Sequence, residues 1–394
     1  MKYSRGIEAN MKQRNILFIK GINQYGVLSY MLDSMAEELA NRGYNVQIYE
    51  WNEMEQVKDK KWDVCISCQA IDMTFDVNAD KYVTWLVDHP VLFEQRLMKL
   101  RHMNNLWIAC VDQTHVRFLR EVMEYHNVFY LPHFGGMSGC EKKYYDREIN
   151  VFFPASYVDI EMFEKDNSDW RTGAVKVISD QVINELKENN HICIEHAIKN
   201  VLRRIGEKVD REFLTECMEV FGSYVDSYIS KYYRNQIVKC LLDEDISLTV
   251  VGRNWKSFEE RYQYGDKLNI LSENMTYNEV LECMGNSKMV LNVFPWFKDG
   301  SHERVTSALL NGAVCLSDQN EYTKRFLNNE VSAILYDRNE PKHLAKKIKY
   351  YLQHEDEANN IAERGQLIAK NNMTVKSNID ILFTNLELNN ATDK

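Results

Sequence analysis

Lys298, His302, Glu303 and Arg304 fall within one loop and the helical turn that follows it, in the stretch MVLNVFPWFKDGSHERVTSALLNGAVCLSD, residues 289–318. Cations gathered at a loop and a helix start suit one task above others: holding an anion. The flanking residues say how they are held. An apolar run, Met289 to Phe294, ends in a loop with Pro295 and Gly300. A helical pattern starts at Ser301 and stops at Gly312, and a second apolar run follows from Ala313 to Leu316. Strand, loop, helix, strand is half of a parallel-sheet unit, with the loop at the end where such sheets bind ligands. Free backbone N–H groups and the helix dipole favour negative charge at that helix start. A phosphate-bearing ligand is therefore expected.

Further candidates stand at other predicted strand ends. Gly21 and Asn23 occupy the turn GINQYG after the run NILFIK; Asp88 and His89 follow YVTWLV; His133 follows VFYLP; Gly252 and Arg253 follow LTVV. An aspartate or histidine facing a cleft can take a proton from a hydroxyl. Asp88-His89-Pro90 is equally well read as a turn in which the aspartate bonds its own backbone. Glu303 in a first turn also complements the dipole, an effect of a few tenths to about 1 kcal/mol. For Arg304 the alternative is a surface ion pair; for His302 a cap; for His133 a hinge or core position.

The elements that position these residues follow from periodicity. Strands are expected at Asn15–Lys20, Asn45–Tyr49, Asp63–Ser67, Tyr82–Val87, Leu106–Val111 and Val128–Leu131, with a helical stripe from Val27 to Asn41. Alternating strand and helix of this kind give an α/β doubly wound domain over residues 1–148. Asn150 to Phe153 starts a second domain, 149–371, and 372–394 is expected to form a closing helix and a polar tail. Residues 157–242 lack proline and carry long helical periodicities, so a helical insertion is expected there. Its tyrosines Tyr228, Tyr232 and Tyr233 read as helix packing before they read as a partner surface.

Composition narrows the class. With 45% hydrophobic and 27% charged residues the chain of 394 residues has the make-up of an ordinary globular protein. A net charge of −10 argues against nucleic acid as a partner. No stretch approaches the roughly 20 apolar residues of a membrane span, so no integral membrane contact is expected. Nine cysteines without disulfide-like spacing, and no secretory leader pattern, point to a reducing cytoplasm. Cys65 and Cys68 form a C-x-x-C, yet they lie inside the buried-strand pattern WDVCISCQA and are read as small hydrophobes.

The segments DGSHERVTSALLNGAVCLSD and EYTKRFLNNEVSAILYD resemble the C-terminal domain of the glycosyl transferases group 1 superfamily, with the GT-B architecture of two Rossmann-like domains facing a cleft. The nearest-looking branch is that of the CgeB-type spore-maturation proteins. LTVVGRNW is similar to the glycine-bearing strand end of the same domain, and YVTWLVDHP to a strand of the first.

This resemblance implies a metal-independent glycosyltransferase without a cofactor, whose nucleotide-diphosphate sugar, UDP- or GDP-linked, is the substrate. The acceptor is expected to be a hydroxyl of a protein, glycan or other molecule. Arg304 and Arg253 would hold the diphosphate, with Gly252 and Gly300 admitting backbone to it. His302, Glu303 and Ser307 would complete the donor side, Gly21, Asn23 and His89 the acceptor side, and Glu303, Asp88 and His133 the chemistry. Many members carry two glutamates eight positions apart; here those positions are Asp299 and Ser307, so Glu303 is expected to act in place of the second. A nucleotide-sugar epimerase or phosphorylase on the same architecture, and a non-catalytic binding or assembly module, are the alternatives.

Overall fold

The computed structural model describes residues 14–21, 26–69, 77–140 and 142–387. Apolar runs buried on both faces form the strands, as parallel sheets require. In β1 (Asn15–Lys20) the four central residues, Ile16 to Ile19, have no exposed surface. It is joined by β2 (Asn45–Glu50), β3 (Lys61–Cys68), β4 (Asn78–Leu86), β5 (Leu106–Cys110) and β6 (Val128–Tyr130). All pair in parallel, in the order β2-β1-β3-β4-β5-β6. The helix Val27–Asn41 lays Met31, Met35 and Leu39 on this sheet and ends at Gly43, whose φ of +87° suits glycine. Cys65 and Cys68 are buried free thiols of β3, and burial pushes both thiols up.

The second sheet comprises β7 (Ile149–Pro154), β8 (Leu248–Val251), β9 (Leu268–Ser272), β10 (Ser287–Asn292), β11 (Val314–Asp318) and β12 (Ile334–Tyr336). It is also parallel, in the order β12-β11-β10-β7-β8-β9. Two such α/β sheets are the GT-B arrangement. The helix Val375–Asn385 returns to the first domain: Ile379, Leu382 and Phe383 join the core that contains Met31 and Met35, and Asp380 pairs with Arg42 at 2.5 Å.

β7 and β8 are neighbours in the sheet, but the chain between them makes the helices Ile160–Asp166, Gly173–Glu188, Ile194–Arg204, Arg211–Cys217 and Ser223–Asp243. One apolar cluster runs from Val91 and Val122 of the first domain through Ile194, Met218 and Phe221 of this helical segment to Leu291 and Leu316 of the second sheet. The segment therefore bridges both domains. Among the described residues no helix is long and apolar enough to cross a membrane.

Two boundaries near the candidate site differ from expectation. β10 ends at Asn292 because Phe294 turns its N–H to Asp318 Oδ1 (3.1 Å) instead of continuing the ladder. The next helix starts at Glu303, two residues late, because Gly300 is tied to the first domain and His302 is extended as the N-cap.

Candidate functional site

The residue that locks the two domains is one the sequence reading passed over. Asp112 follows β5 and is fully buried. Its Oδ2 accepts the N–H groups of Lys298 (2.8 Å) and Asp299 (3.0 Å); its Oδ1 accepts the N–H and Oγ1–H of Thr114, both at 2.6 Å. Gln113 N–H donates to the Asp299 carbonyl at 3.0 Å. Asp112 and Gly300 form an antiparallel bridge, and a Cβ on Gly300 would lie 2.3 Å from the Val111 carbonyl oxygen. Gly300, expected beside phosphates, is thus occupied in letting the two domains meet.

The loop after β6 makes a second seam. His133 Nδ1–H donates to the Ser301 carbonyl (2.6 Å). A Cβ on Gly135 would stand 2.4 Å from the backbone nitrogen of Ser307. Gly136 N–H donates to Ser307 Oγ (3.2 Å), which also shares a hydrogen bond with Tyr277 Oη (2.7 Å). Asn311 accepts from Ser138 N–H (2.7 Å) and donates to the Gly136 carbonyl (3.0 Å). Ser307 has no exposed surface. The expectation of a donor contact there is corrected: with two partners and backbone packed against it, its hydroxyl is committed to the seam.

Between these seams the charged residues converge. His302 caps the helix Glu303–Leu310, its Nδ1 accepting from Arg304 N–H at 3.2 Å, and the same nitrogen contacts the Glu303 carboxylate. One ring nitrogen serves only one of these at a time. Burial holds His302 below its ordinary value, while the Glu303 carboxylate pulls it back up. Burial would raise the Glu303 carboxyl, but His302, Arg304 and His133 together hold it down as a carboxylate. Burial also lowers His133, leaving a neutral imidazole whose Nδ1 proton is committed to Ser301. Asp88, at the end of β4, bonds Gln69 Nε2; burial raises its carboxyl, with His133 pulling it back. Asp88, His133 and Glu303 are thus brought into electrostatic reach of one another from β4, β6 and the helix after β10.

Arg304 is buried, with its guanidinium 5.7 Å from the Phe153 ring centroid and Nη1 donating to Asn292 Oδ1 at 3.2 Å. Its Nε is buried without a partner among the described residues. Lys298 differs: its ammonium donates to the carbonyls of Pro295 and Asn190, each at 2.8 Å, and burial lowers it to about 7. It is spent on structure.

The remaining candidates lie outside this cluster. His89 is buried and caps its own short turn, Nδ1 accepting from Val91 N–H at 3.2 Å, with its ring 4.6 Å from that of His115. Burial pushes it down to about 3, a neutral packing histidine. Gly252, at φ +130°, fits its bare Cα against Ala155 and Ser156, where a Cβ would come within 2.8 Å of backbone. It was expected to admit phosphate; it admits the neighbouring strand end instead. The Arg253 side chain is exposed, while its backbone bonds Ser156 Oγ and Tyr157 N–H. Gly21 directly follows β1; Asn23 lies outside the described residues.

The helical segment packs beside the cluster, near enough for Asp226 to feel the charge of Asp88 and Arg234 that of Arg304. Asn190, between two of its helices, receives Lys298 Nζ and Arg338 Nη2 on its carbonyl, each at 2.8 Å, while Arg338 pairs with buried Asp318 at 2.5 Å. A small cavity of about 10 Å³, at the lower limit for one water, lies between His89, Asp226, Pro295 and Lys298. The segment also brings Arg234, whose Nη1 donates to the Ser156 carbonyl at 2.9 Å. Sequence reasoning missed Arg234 because it sits in a tyrosine-rich helical run that reads as packing. Asp112 left a signal: an acidic residue directly after a buried strand, two before a threonine.

Residues 234–384 match the family model described as glycosyl transferase-like. No curated protein sequence matches the chain significantly. Among solved structures, HepE of Anabaena, crystallised with UDP and glucose, aligns with a TM-score of 0.56 at 10% identity, covering 95% of this chain and 100% of that one. Sucrose-phosphate synthase of Thermosynechococcus elongatus aligns at 0.54 and 10% identity, covering 95% and 99%. An α-glucosyltransferase in complex with UDP and DNA aligns at 0.54 and 10% identity, covering 94% and 99%. At such identity these similarities establish the GT-B fold.

Proposed function

We propose that this protein is a metal-independent glycosyltransferase of the CgeB-like kind, moving a hexose from a UDP- or GDP-linked donor to a hydroxyl of a protein, glycan or other acceptor in the cytoplasm. The observation that carries the reading is Arg304. It is a buried cation with an unpartnered Nε among the described residues, in the first turn of a helix at the C-terminal end of the second sheet. The family match and the fold shared with enzymes crystallised with UDP support it.

The chemistry follows from the charges. The acceptor oxygen bonds to the anomeric carbon as the bond from that carbon to the diphosphate oxygen breaks. The nucleoside diphosphate leaves with the electron pair, and Arg304 with the helix N-terminus stabilises it. Asp88, whose carboxyl burial raises, takes the acceptor proton. The Glu303 carboxylate and the neutral His133 ring flank the transferred sugar, the first accepting its hydroxyls or supporting positive charge at the anomeric centre. Gly21, directly after β1, stands on the acceptor side.

One observation favours a non-catalytic binding module instead: the charged residues of the cluster are buried. A thermal-shift panel of UDP, GDP, ADP and TDP, then mass-spectrometric detection of nucleotide released from matching donors, separates the readings. Stabilisation by one nucleotide and turnover of its sugar are expected. Binding with neither transfer nor hydrolysis favours the module, and binding of none of the four overturns both.

A further inference from the structure

We infer that Arg234, carried by the helical segment and not by either sheet, is the second cation of the diphosphate site, so that the donor itself fastens the segment over the cleft. This rests on the proposed reading of Arg304 as the diphosphate contact.

The placement comes from sheet order. β7 and β10 are neighbours, with Phe152 opposite Val290. Arg304 follows β10 and lies over Phe153 of β7; Arg234 bonds the carbonyl of Ser156, just past the end of β7. Both guanidiniums thus stand above the C-terminal ends of adjacent strands, where doubly wound sheets take ligands. The turn bearing Arg234 is pinned on either side. Tyr233 Oη donates to Asn339 Oδ1 at 2.9 Å, and Asn235 Nδ2 donates to the Val158 carbonyl at 3.1 Å.

What these two arginines lack is a direct anionic partner: the Glu303 carboxylate acts on Arg304 through its charge alone. Neither forms an ion pair with a carboxylate among the described residues, and the buried Nε of each has no partner there. Each makes one neutral contact, to Ser156 O or Asn292 Oδ1. Two like charges facing each other under burial destabilise the protein; a phosphate group between them reverses the sign of that interaction. The arginine fork also matches phosphate oxygens in a way a lysine does not. The lowering of Arg234 to about 9 by burial and by the charge of Arg304 accords with this opposition.

The consequence is coupling. The helix carrying Arg234 belongs to the segment that also touches the first domain, where Arg211 pairs with Glu124. Because Glu303 and Arg304 are buried, a donor reaches them only when the packing around them opens, and its diphosphate then draws Arg234 toward Arg304. Donor binding and closure become one event.

Inorganic pyrophosphate tests this without knowledge of the base or sugar. Titration calorimetry on the full chain should show binding by the wild type, weakened about tenfold or more by Arg234→Gln and by Arg304→Gln, given the strength of charge-assisted hydrogen bonds. Arg234→Lys should fall between. Without ligand, Arg234→Gln should melt no lower than the wild type, since it removes an opposed charge. Pyrophosphate should slow proteolysis within residues 160–243 of the wild type but not of Arg234→Gln. A lower unliganded melting temperature with unchanged pyrophosphate affinity would make Arg234 a structural tie and overturn the proposal. So would no pyrophosphate binding by the wild type. If Arg234→Gln does not fold, the Arg234→Lys affinity decides: a value equal to wild type overturns it. Pyrophosphate binding that none of the four nucleoside diphosphates exceeds would sink the donor reading and leave the two-arginine site. Nucleotide binding insensitive to Arg234→Gln would do the reverse.

Discussion

Two regions where the domains meet are built on opposite principles. Along the seams at Asp112 and Ser307, the polar groups described above are matched: a carboxylate with its amides, a hydroxyl with its tyrosine and backbone partner, glycines where backbones touch. Beneath the helical segment the pairing fails. Nε of Arg304, Nε of Arg234, both ring nitrogens of His115, Oδ1 of Asp226 and Oε2 of Glu195 are all buried without a partner among the described residues. Buried polar groups are normally satisfied, so the first region is built to hold the domains together and the second is where a ligand is to be sought.

The largest expected effect tests the second region. Glu303→Gln should lower kcat/KM for the matching donor on the order of 10²–10³-fold, as for loss of a preorganised electrostatic contact. Steady-state kinetics with near-native values would remove Glu303 from the mechanism. Breaking the first region should cost stability: Gly300→Ala forces a Cβ against Val111 O and should destabilise by about 3 kcal/mol in a urea titration. An unchanged midpoint would mean the seam yields. Asp112→Asn places an N–H₂ against backbone donors and should cost about 2 kcal/mol by the same measurement, without altering nucleotide affinity.

The smallest effect concerns charge beneath the segment. Burial first, then the charge of Asp88, pushes the Asp226 carboxyl from 3.8 up to about 7; Glu195 raises it further and Lys298 and Lys231 oppose. The folded state therefore keeps this proton to higher pH than the unfolded state. Its contribution is present at low pH and is lost as pH rises from about 4 to about 7. Asp226→Asn should accordingly stabilise the protein by about 1–2 kcal/mol at pH 8, with the gain vanishing near pH 4. A gain independent of pH, measured by denaturation at both values, would show that Asp226 is not the titrating group.

Much of this was legible beforehand. NILFIK had to be a strand buried on both faces, and Met31, Met35 and Leu39 had to face it, because those patterns have few other ways to leave water. Arg304 and Glu303 were marked by position, in the first turn after a loop that ends a buried strand. Ser307, Gly252 and Gly300 were misassigned for a shared reason. Gly252 and Gly300 stand beyond strand ends and Ser307 inside a helix, and a small residue at any of these places admits either a ligand or another backbone without saying which. Arg234 was hidden because its value depends on Arg304, seventy positions away, and on β7 lying beside β10.

Sequence alone thus determined the two parallel sheets, the helical segment between β7 and β8, and a helix that starts with Glu303 and Arg304 just past the end of β10. Those are consequences of local periodicity and of backbone dipoles, which act over a few residues. Tertiary structure alone decided which polar groups are satisfied and which are left facing each other. That depends on distances between strand ends far apart in the chain, and only packing sets them.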